Sequence, residues 1–372
     1  MAKNIIILGA GASVPYGAPV MRNFLDEARE LYATNLRDDN DRKSFENVFA
    51  AISRLQAVHS KSEFDLINLE SIFTTFELSK TLGRLPGTDH AHIGELIDDL
   101  KRLIVVTLEH TISIPQSQGR IGFSGPLSRF LEVLKERQSG NPLNFSVLTF
   151  NYDLIMDAAI LMAGISVDYG VPYREDWSGI TLPLLKLHGS LNWGVEKESN
   201  EIVPWFLHDC LQRLSPRIKN GRGYSLFIGN RIHEMAHYSR SKKQINTLPF
   251  IVPPSWNKAD SHNQIATVWN RAAQELSEAD SIYVIGYSLP NTDSFFRQLY
   301  ALGTVGDTLL KRFWVYNPDP SREDVFRGML GPGAKERFKF FRIIKRDEVA
   351  IRGETVFDAF DHIYNTVLKN NE

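Results

Sequence analysis

The chain has 372 residues, of which 43% are apolar, 11% aromatic and 23% charged, and 42 basic against 44 acidic side chains leave a net charge of -2. This composition excludes a disordered chain, and the charge balance gives no polycationic footprint for nucleic acid and no basic anchor for a membrane. A single cysteine, Cys210, excludes an internal disulfide and every cysteine-rich zinc module. No apolar run approaches the ~20 residues of a bilayer span. Met1 to Asn4 leads straight into apolar Ile5 to Leu8, so a soluble cytoplasmic protein without a signal peptide is expected. The length suits ~2 domains, or one large α/β domain carrying insertions.

Ile5 to Leu8 is a short β-branched run that ends in Gly9-Ala10-Gly11-Ala12-Ser13, the pattern of a buried parallel strand opening into a glycine turn. Similar runs follow at Phe145–Phe150, Leu184–His188, Phe250–Val252, Ser281–Gly286, Phe313–Tyr316 and Phe338–Ile344. Helical patterns lie between them. Pro126–Arg137 carries Leu127, Phe130, Leu131 and Leu134 on one stripe, and Ser261–Ser277 carries Ile265, Val268, Trp269 and Ala272. Alternating strands and helices predict an α/β fold with a Rossmann-like, doubly wound parallel sheet. Its core falls on residues 1–30, 125–190 and 248–350, with a C-terminal helix over 355–369. Residues 31–124 are mainly helical by period, and residues 191–247 are mixed; both read as insertions forming a lid or second lobe.

Several strands end in polar residues: Asn151 and Asp153, His188, Tyr287 and Ser288, and Asn317. Open parallel sheets bind ligands beyond the carboxyl ends of their strands, so these endings converge on one crevice. Closely spaced N–H groups of the Gly9–Ser13 loop, with the N-terminus of a helix beginning near Pro19, are suited to a pyrophosphate. The loop is not a full dinucleotide fingerprint, because Val14 occupies the third glycine position and no acidic residue falls cleanly ~20 residues on. By itself Gly9-x-Gly11 is equally a tight strand-to-helix turn.

The motifs in order say more than any one of them. Gly9, Ala10, Gly11, Ser13, Gly17, Pro19 and Arg22 resemble, at identical spacing, the NAD-binding loop of the sirtuin family. Thr149-Phe150-Asn151-Tyr152-Asp153 is similar to its Thr-Gln-Asn-Ile-Asp, and Leu187-His188-Gly189-Ser190 to its catalytic histidine motif. Gly286-Tyr287-Ser288-Leu289 is similar to the turn that grips the cofactor phosphates, and Asn317 matches the asparagine at the adenosine ribose. The departures point to a branch. Deacylases of the family carry a four-cysteine zinc ribbon, and the loop positions that handle nicotinamide are Val20 and Met21 here. Gly286 to Asp293, with Pro253-Pro254-x-Trp256-x-Lys258, resembles instead the bacterial sirtuin-like effectors of antiphage defence, which hydrolyse NAD.

The resemblance implies an NAD glycohydrolase that acts in abortive infection, with NAD as substrate and no metal. It implies His188 as base, Asn151 as positioner of water or ribose, and Asp153 as support for a ribose hydroxyl or the loop. Gly9, Ala10, Gly11, Ala12, Ser13, Arg22, Gly286, Tyr287, Ser288 and Asn317 then form the cradle. Unregulated NAD destruction kills the host, so restraint by a homo-oligomer or a separate protein is expected, a HerA-type ATPase or a short Argonaute being the candidates from the family.

Simpler readings stand beside these. His188 also reads as a hydrogen-bonded strand-end histidine, Asn151 and Asp153 as turn and helix-cap residues, Ser13 as a backbone-satisfying hydroxyl and Arg22 as a surface ion-pair partner. Alternative functions are a non-catalytic NAD or ADP-ribose sensor and an NAD-dependent deacylase. His233-Glu234-Met235-Ala236-His237 is a literal H-E-x-x-H, but it lacks a third ligand nearby and sits among Arg231, Arg240, Lys242 and Lys243, as a solvated basic helix does.

Overall fold

A computed structural model describes residues 3–34, 36–57, 65–117, 120–121, 127, 130, 132, 144–172, 180–205, 207–210, 224–230, 232, 245–252, 259–290, 293–342, 359–363 and 365. Its strands are β1 (Asn4–Leu8), β2 (Ser113–Ser117), β3 (Arg120–Ile121), β4 (Phe145–Thr149), β5 (Ser166–Asp168), β6 (Thr181–Lys186), β7 (Trp193–Val195), β8 (Ile202–Pro204), β9 (Tyr224–Phe227), β10 (Ser281–Ile285), β11 (Arg312–Asn317) and β12 (Phe338–Arg342). Seven of them form one sheet in the order β12-β11-β10-β1-β4-β6-β5. Every pairing in it is parallel. The protein is therefore an α/β fold with a doubly wound parallel sheet.

The chain builds outward from β1 to β4, β6 and β5, then returns to the other side of β1 for β10, β11 and β12. The strand order reverses between β1 and β10, where Leu8 pairs with Ile285. Such a reversal opens a crevice beyond the carboxyl ends.

The uninterrupted apolar runs follow from burial on both faces. Ile6 and Leu8 point into one core with Tyr283, Ile285, Trp314 and Tyr316, while Ile5 and Ile7 point into the opposite core with Ile282, Val284, Phe313 and Val315. The first core is closed by α1 (Phe24–Thr34), α2 (Asp39–Ala57), α3 (Leu69–Leu82), α4 (Ile93–Thr111) and α5 (Ile155–Met162). The second is closed by α6 (Ala259–Ser277), α7 (Ser294–Gly303) and α8 (Arg322–Met329). Among these helices α4 packs against α1, α2 and α3, and its buried stripe contains Leu96, Ile97, Leu100, Leu103, Ile104 and Leu108. Among the described residues, no helix is long and apolar enough to cross a membrane.

The structure departs from the sequence pattern in four places. Phe250–Val252 is not a strand of the main sheet. It pairs antiparallel with the turn after β6 through Gly189 and Ile251, because its N–H and C=O groups meet those of His188 and Ser190. The strand expected to reach His188 ends at Lys186, and Leu187 and His188 lie in the turn beyond it. The short edge strand β5 has no apolar run to announce it. Finally, no helix begins near Pro19; two 3-10 turns, Ala10–Ala12 and Val14–Tyr16, follow the glycine loop and α1 starts at Phe24. Of the Pro126–Arg137 helix, Leu127 and Phe130 are described and buried; Leu131 and Leu134 lie outside the described residues, as do Pro253 to Lys258 and the His233–His237 motif.

Candidate functional site

Two loops meet at the strand reversal. A Cβ on Gly9 would come 2.5 Å from the Cα of Tyr287, and one on Gly286 would strike the backbone N of Ala12. Gly286 also has φ +65°, so both the space and the conformation call for glycine there. The Gly11 N–H donates to the Gly286 carbonyl at 2.9 Å and locks the loops together. The N–H groups of Gly9, Gly11, Ala12 and Ser13 all donate within the protein, to the carbonyls of Ile285, Gly286, Gly9 and Ala10. The loop thus spends most of its donors on its own shape. Ala10, Tyr287 and Ser288 have N–H groups with no acceptor among the described residues, so the donors open to an anion are divided between the two loops.

These loops border a cavity of about 790 Å³, within the ~300–1,000 Å³ range of ligand pockets. Gly9, Ala10, Gly11, Arg22, Asn151, Asp153, His188, Gly286, Tyr287, Ser288 and Asn317 all line it. Ala12 and Ser13 do not; they border a separate cavity of about 20 Å³ behind the loop. Arg22 is exposed at the mouth.

The turn after β4 is fixed from both sides. Asn151 donates its side-chain amide to the Gly9 carbonyl at 2.9 Å and to Ser13 Oγ at 3.0 Å. Ser13 Oγ in turn donates to Asp153 Oδ2 at 2.7 Å, and Asp153 Oδ1 accepts from the Ile155 N–H at 3.0 Å at the start of α5. Ser13, Asn151 and Asp153 therefore form one network, with Asp153 holding the first N–H of α5 from one residue before the N-cap, Leu154. With both amide hydrogens committed, Asn151 Oδ1 is the atom that faces no partner among the described residues. Burial raises the Asp153 carboxyl above its ordinary value, against the charge of Lys186 and the hydroxyl of Ser13. Beneath the turn, Lys186 Nζ donates to the Asp153 carbonyl at 2.5 Å and pairs with Asp157 Oδ2 at 3.0 Å, both side chains being fully buried.

His188 follows β6 on a turn that Gly189 permits with φ +84°. The His188 carbonyl accepts from the Val252 N–H at 2.7 Å, the Leu187 carbonyl accepts from Trp269 Nε1 at 3.1 Å, and Tyr152 Oη donates to the Val252 carbonyl at 2.9 Å. The ring is set edge-on to Phe150, with centroids 5.2 Å apart. Its Nε2 lies 3.9 Å from Asp293 Oδ1.

Tyr287 and Asn317 are each held by bonds of their own within the protein. The Tyr287 ring is stacked on Phe150 at 4.2 Å and its hydroxyl donates to Asp293 Oδ2 at 2.5 Å, so its backbone rather than its side chain serves the cavity. Asn317 donates to the Tyr287 carbonyl at 3.0 Å and accepts from the Asp319 N–H at 2.9 Å, leaving one amide hydrogen and one lone pair.

Two further buried acids, Asp293 and Glu70, stand in the cavity wall. Asp293 closes the stretch that begins at Gly286, and Glu70 stands in the first turn of α3, behind the N-cap Asn68. The signal for Glu70 is a cap followed by an acid, which marks a helix start wherever it occurs.

No family model matches the chain, and comparison with curated proteins gives no match. Among solved structures it is similar to a Sir2 homologue in complex with 2′-O-acetyl ADP-ribose, at 14% identity over 99% of this chain and 93% of that one, with a TM-score of 0.35. It is similar to a Sir2 homologue in complex with NAD at 14% identity, covering 91% and 83%, with a TM-score of 0.31. It is similar to Sir2 with a p53 peptide and NAD+ at 11% identity, covering 99% and 93%, with a TM-score of 0.38.

Proposed function

We propose that this chain is a sirtuin-like NAD+ glycohydrolase of the antiphage-defence type, cleaving NAD+ to nicotinamide and ADP-ribose. The observation that carries the proposal is the meeting, in one cavity at the strand reversal, of a two-loop glycine backbone with Asn151 and His188. The ordered motifs between Gly9 and Asn317 support the same substrate.

The chemistry suits these groups. The bond between C1′ of the ribose and the nicotinamide nitrogen breaks with its electron pair going to nitrogen, so the cationic ring leaves neutral and needs no general acid. The ribose passes through an oxocarbenium-like state, and water forms the new bond to C1′. His188 accepts the proton of that water, or first that of a ribose hydroxyl, and returns it to solvent. Overall NAD+ and water give nicotinamide, ADP-ribose and a proton. Asn151 presents Oδ1 as acceptor to the water or ribose hydroxyl, its amide hydrogens being held by Gly9 and Ser13. Asp153 keeps that network rigid. The open N–H groups of Ala10, Tyr287 and Ser288, with Arg22 at the rim, take the pyrophosphate, and Asn317 takes the adenosine ribose.

Hydrolysis is favoured over lysine deacylation because one cysteine leaves no ribbon and because Val20 and Met21 replace the nicotinamide-handling pair. The toxic reaction calls for restraint in a cytoplasmic homo-oligomer or by a protein partner such as a HerA-type ATPase or a short Argonaute. Products separate the readings. Incubation with NAD+ and an acylated peptide yields free ADP-ribose and unchanged peptide if the chain is a glycohydrolase. O-acyl-ADP-ribose would make it a deacylase, and bound but intact NAD+ a sensor.

A further inference from the structure

His188 and Asp293 reach each other from different strands. His188 stands just beyond β6, and Asp293 precedes α7 at the end of the turn that leaves β10. Their side chains are 5% and 2% exposed, with Nε2 and Oδ1 3.9 Å apart. That is too long for a hydrogen bond and short enough for strong coupling of charges in a dry site. Catalytic contacts are often long in a resting enzyme and tighten with substrate.

The turn is built to hold the acid there. Leu289 is fully buried at φ 49°, an unfavourable conformation for a branched side chain, immediately before Pro290. The Asp293 N–H then donates to the Pro290 carbonyl at 3.0 Å. Tyr287 Oη holds Oδ2 at 2.5 Å, and its ring is clamped between Phe150, stacked at 4.2 Å, and Phe296, edge-on at 5.5 Å. The tyrosine hydroxyl, itself fixed by the two rings, thus holds the carboxylate with Oδ1 on the side of the imidazole.

We propose that Asp293 is the positioning residue of this site: it orients the His188 ring and stabilises the imidazolium formed when His188 accepts a proton, while Tyr287 holds Asp293 in place. The proton stays on His188 until it leaves for solvent, and none passes to Asp293. The kinetic consequence rests on the NAD+ reading above, whereas the pairing belongs to the resting chain. Other ionisable groups around this part of the cavity, among the described residues, are Tyr152 and Tyr287, both kept neutral by burial, Asp153 after β4, Glu70 and Glu77 on α3, and Arg297 on α7.

The test is a histidine NMR titration of the full chain, with the His188 signal assigned by its loss in His188→Gln. Asp293→Asn keeps the shape and the acceptor for Tyr287, and lowers the His188 midpoint by about one pH unit or more. Glu70→Gln, the control, lowers it less. Tyr287→Phe leaves the carboxylate but removes its tether and its competing donor, and raises the midpoint. In nicotinamide release, the acid limb of kcat/KM moves with the NMR midpoint in Asp293→Asn, kcat falls ~10–100-fold with KM within ~2-fold, and Asp293→Glu restores part of the loss. A His188 midpoint unmoved by Asp293→Asn overturns the proposal, as does an unmoved midpoint in Tyr287→Phe, which does not depend on the asparagine variant folding. A shifted midpoint in a chain that never releases nicotinamide leaves the pairing standing and sinks the glycohydrolase reading instead.

Discussion

Glu275 and Asp153 are buried carboxylates at opposite ends of the same parallel sheet, and their surroundings differ in kind. At the amino ends, Glu275 meets Lys3 Nζ at 2.6 Å and Arg271 Nε at 2.7 Å, and it accepts from Ser146 Oγ. Burial pushes that carboxyl up, but the bonds from Lys3, Ser146 and Arg271 outweigh it and hold the group below its ordinary value. At the carboxyl ends, Asp153 is held by a hydroxyl and a backbone N–H, and Asp293 by a tyrosine hydroxyl. Burial carries Asp153 above its ordinary value despite Lys186 behind the turn. One end neutralises its acids with cations and gains stability. The other holds Asp153 and Asp293 with hydroxyls and a backbone N–H, the surroundings that the proposed oxocarbenium and imidazolium would meet.

The sharpest way to break this contrast is at Lys186, whose ammonium sits behind the turn after β4 rather than in the cleft. Lys186→Met leaves Asp157 charged and buried beside the Tyr169 hydroxyl, and is expected to cost ~3–5 kcal/mol in urea unfolding. Adding Asp157→Leu recovers part of that loss. Glu275→Ala comes next, at ~2 kcal/mol, since its cations are partly exposed. Because its folded pKa is depressed, the Glu275 contribution is fully present above about pH 4.5 and is lost as pH falls through the folded value. Wild type should therefore lose more stability than Glu275→Ala in acid. Gly286→Ala forces a Cβ onto Ala12 at positive φ; ~1–2 kcal/mol from the backbone alone is expected, and NAD+ affinity falls with it.

The mildest test concerns Glu109, at the end of α4, which accepts from the backbone and side chain of Asn230. Burial pushes it up to about 7 against those bonds. Here the sign is opposite: the contribution is present below about pH 4.5 and is lost as pH rises through about 7. Glu109→Gln is expected to flatten thermal stability across that window and leave the cleft chemistry intact.

Much of this arrangement is legible in the sequence. Apolar runs of β-branched residues mark β1, β4, β10 and β11 because both sheet faces are covered, and the polar residues that end them mark the cleft. Phe250–Val252 misleads because a short apolar run looks the same whether it joins the sheet or, as here, props the backbone of His188. The 3-10 turns after Gly9 were hidden because glycine, alanine and serine permit many turns, and the choice falls to contacts with Gly286, more than two hundred residues away. Asp293 and Glu70 are inconspicuous in the sequence for a similar reason. Each sits where a helix start explains an acid, and only the tertiary fold turns them toward His188 and the cavity.

The most direct measurement is nicotinamide release from NAD+, in parallel, by wild type, His188→Ala, Asn151→Ala and Glu275→Ala. Release that falls ~10²–10⁴-fold in the two cleft variants, but stays within ~2-fold of wild type in folded Glu275→Ala, is the predicted result. Equal release from wild type and both cleft variants, or wild-type chain that holds NAD+ intact, would contradict the assignment of the chemistry to the carboxyl ends of this sheet.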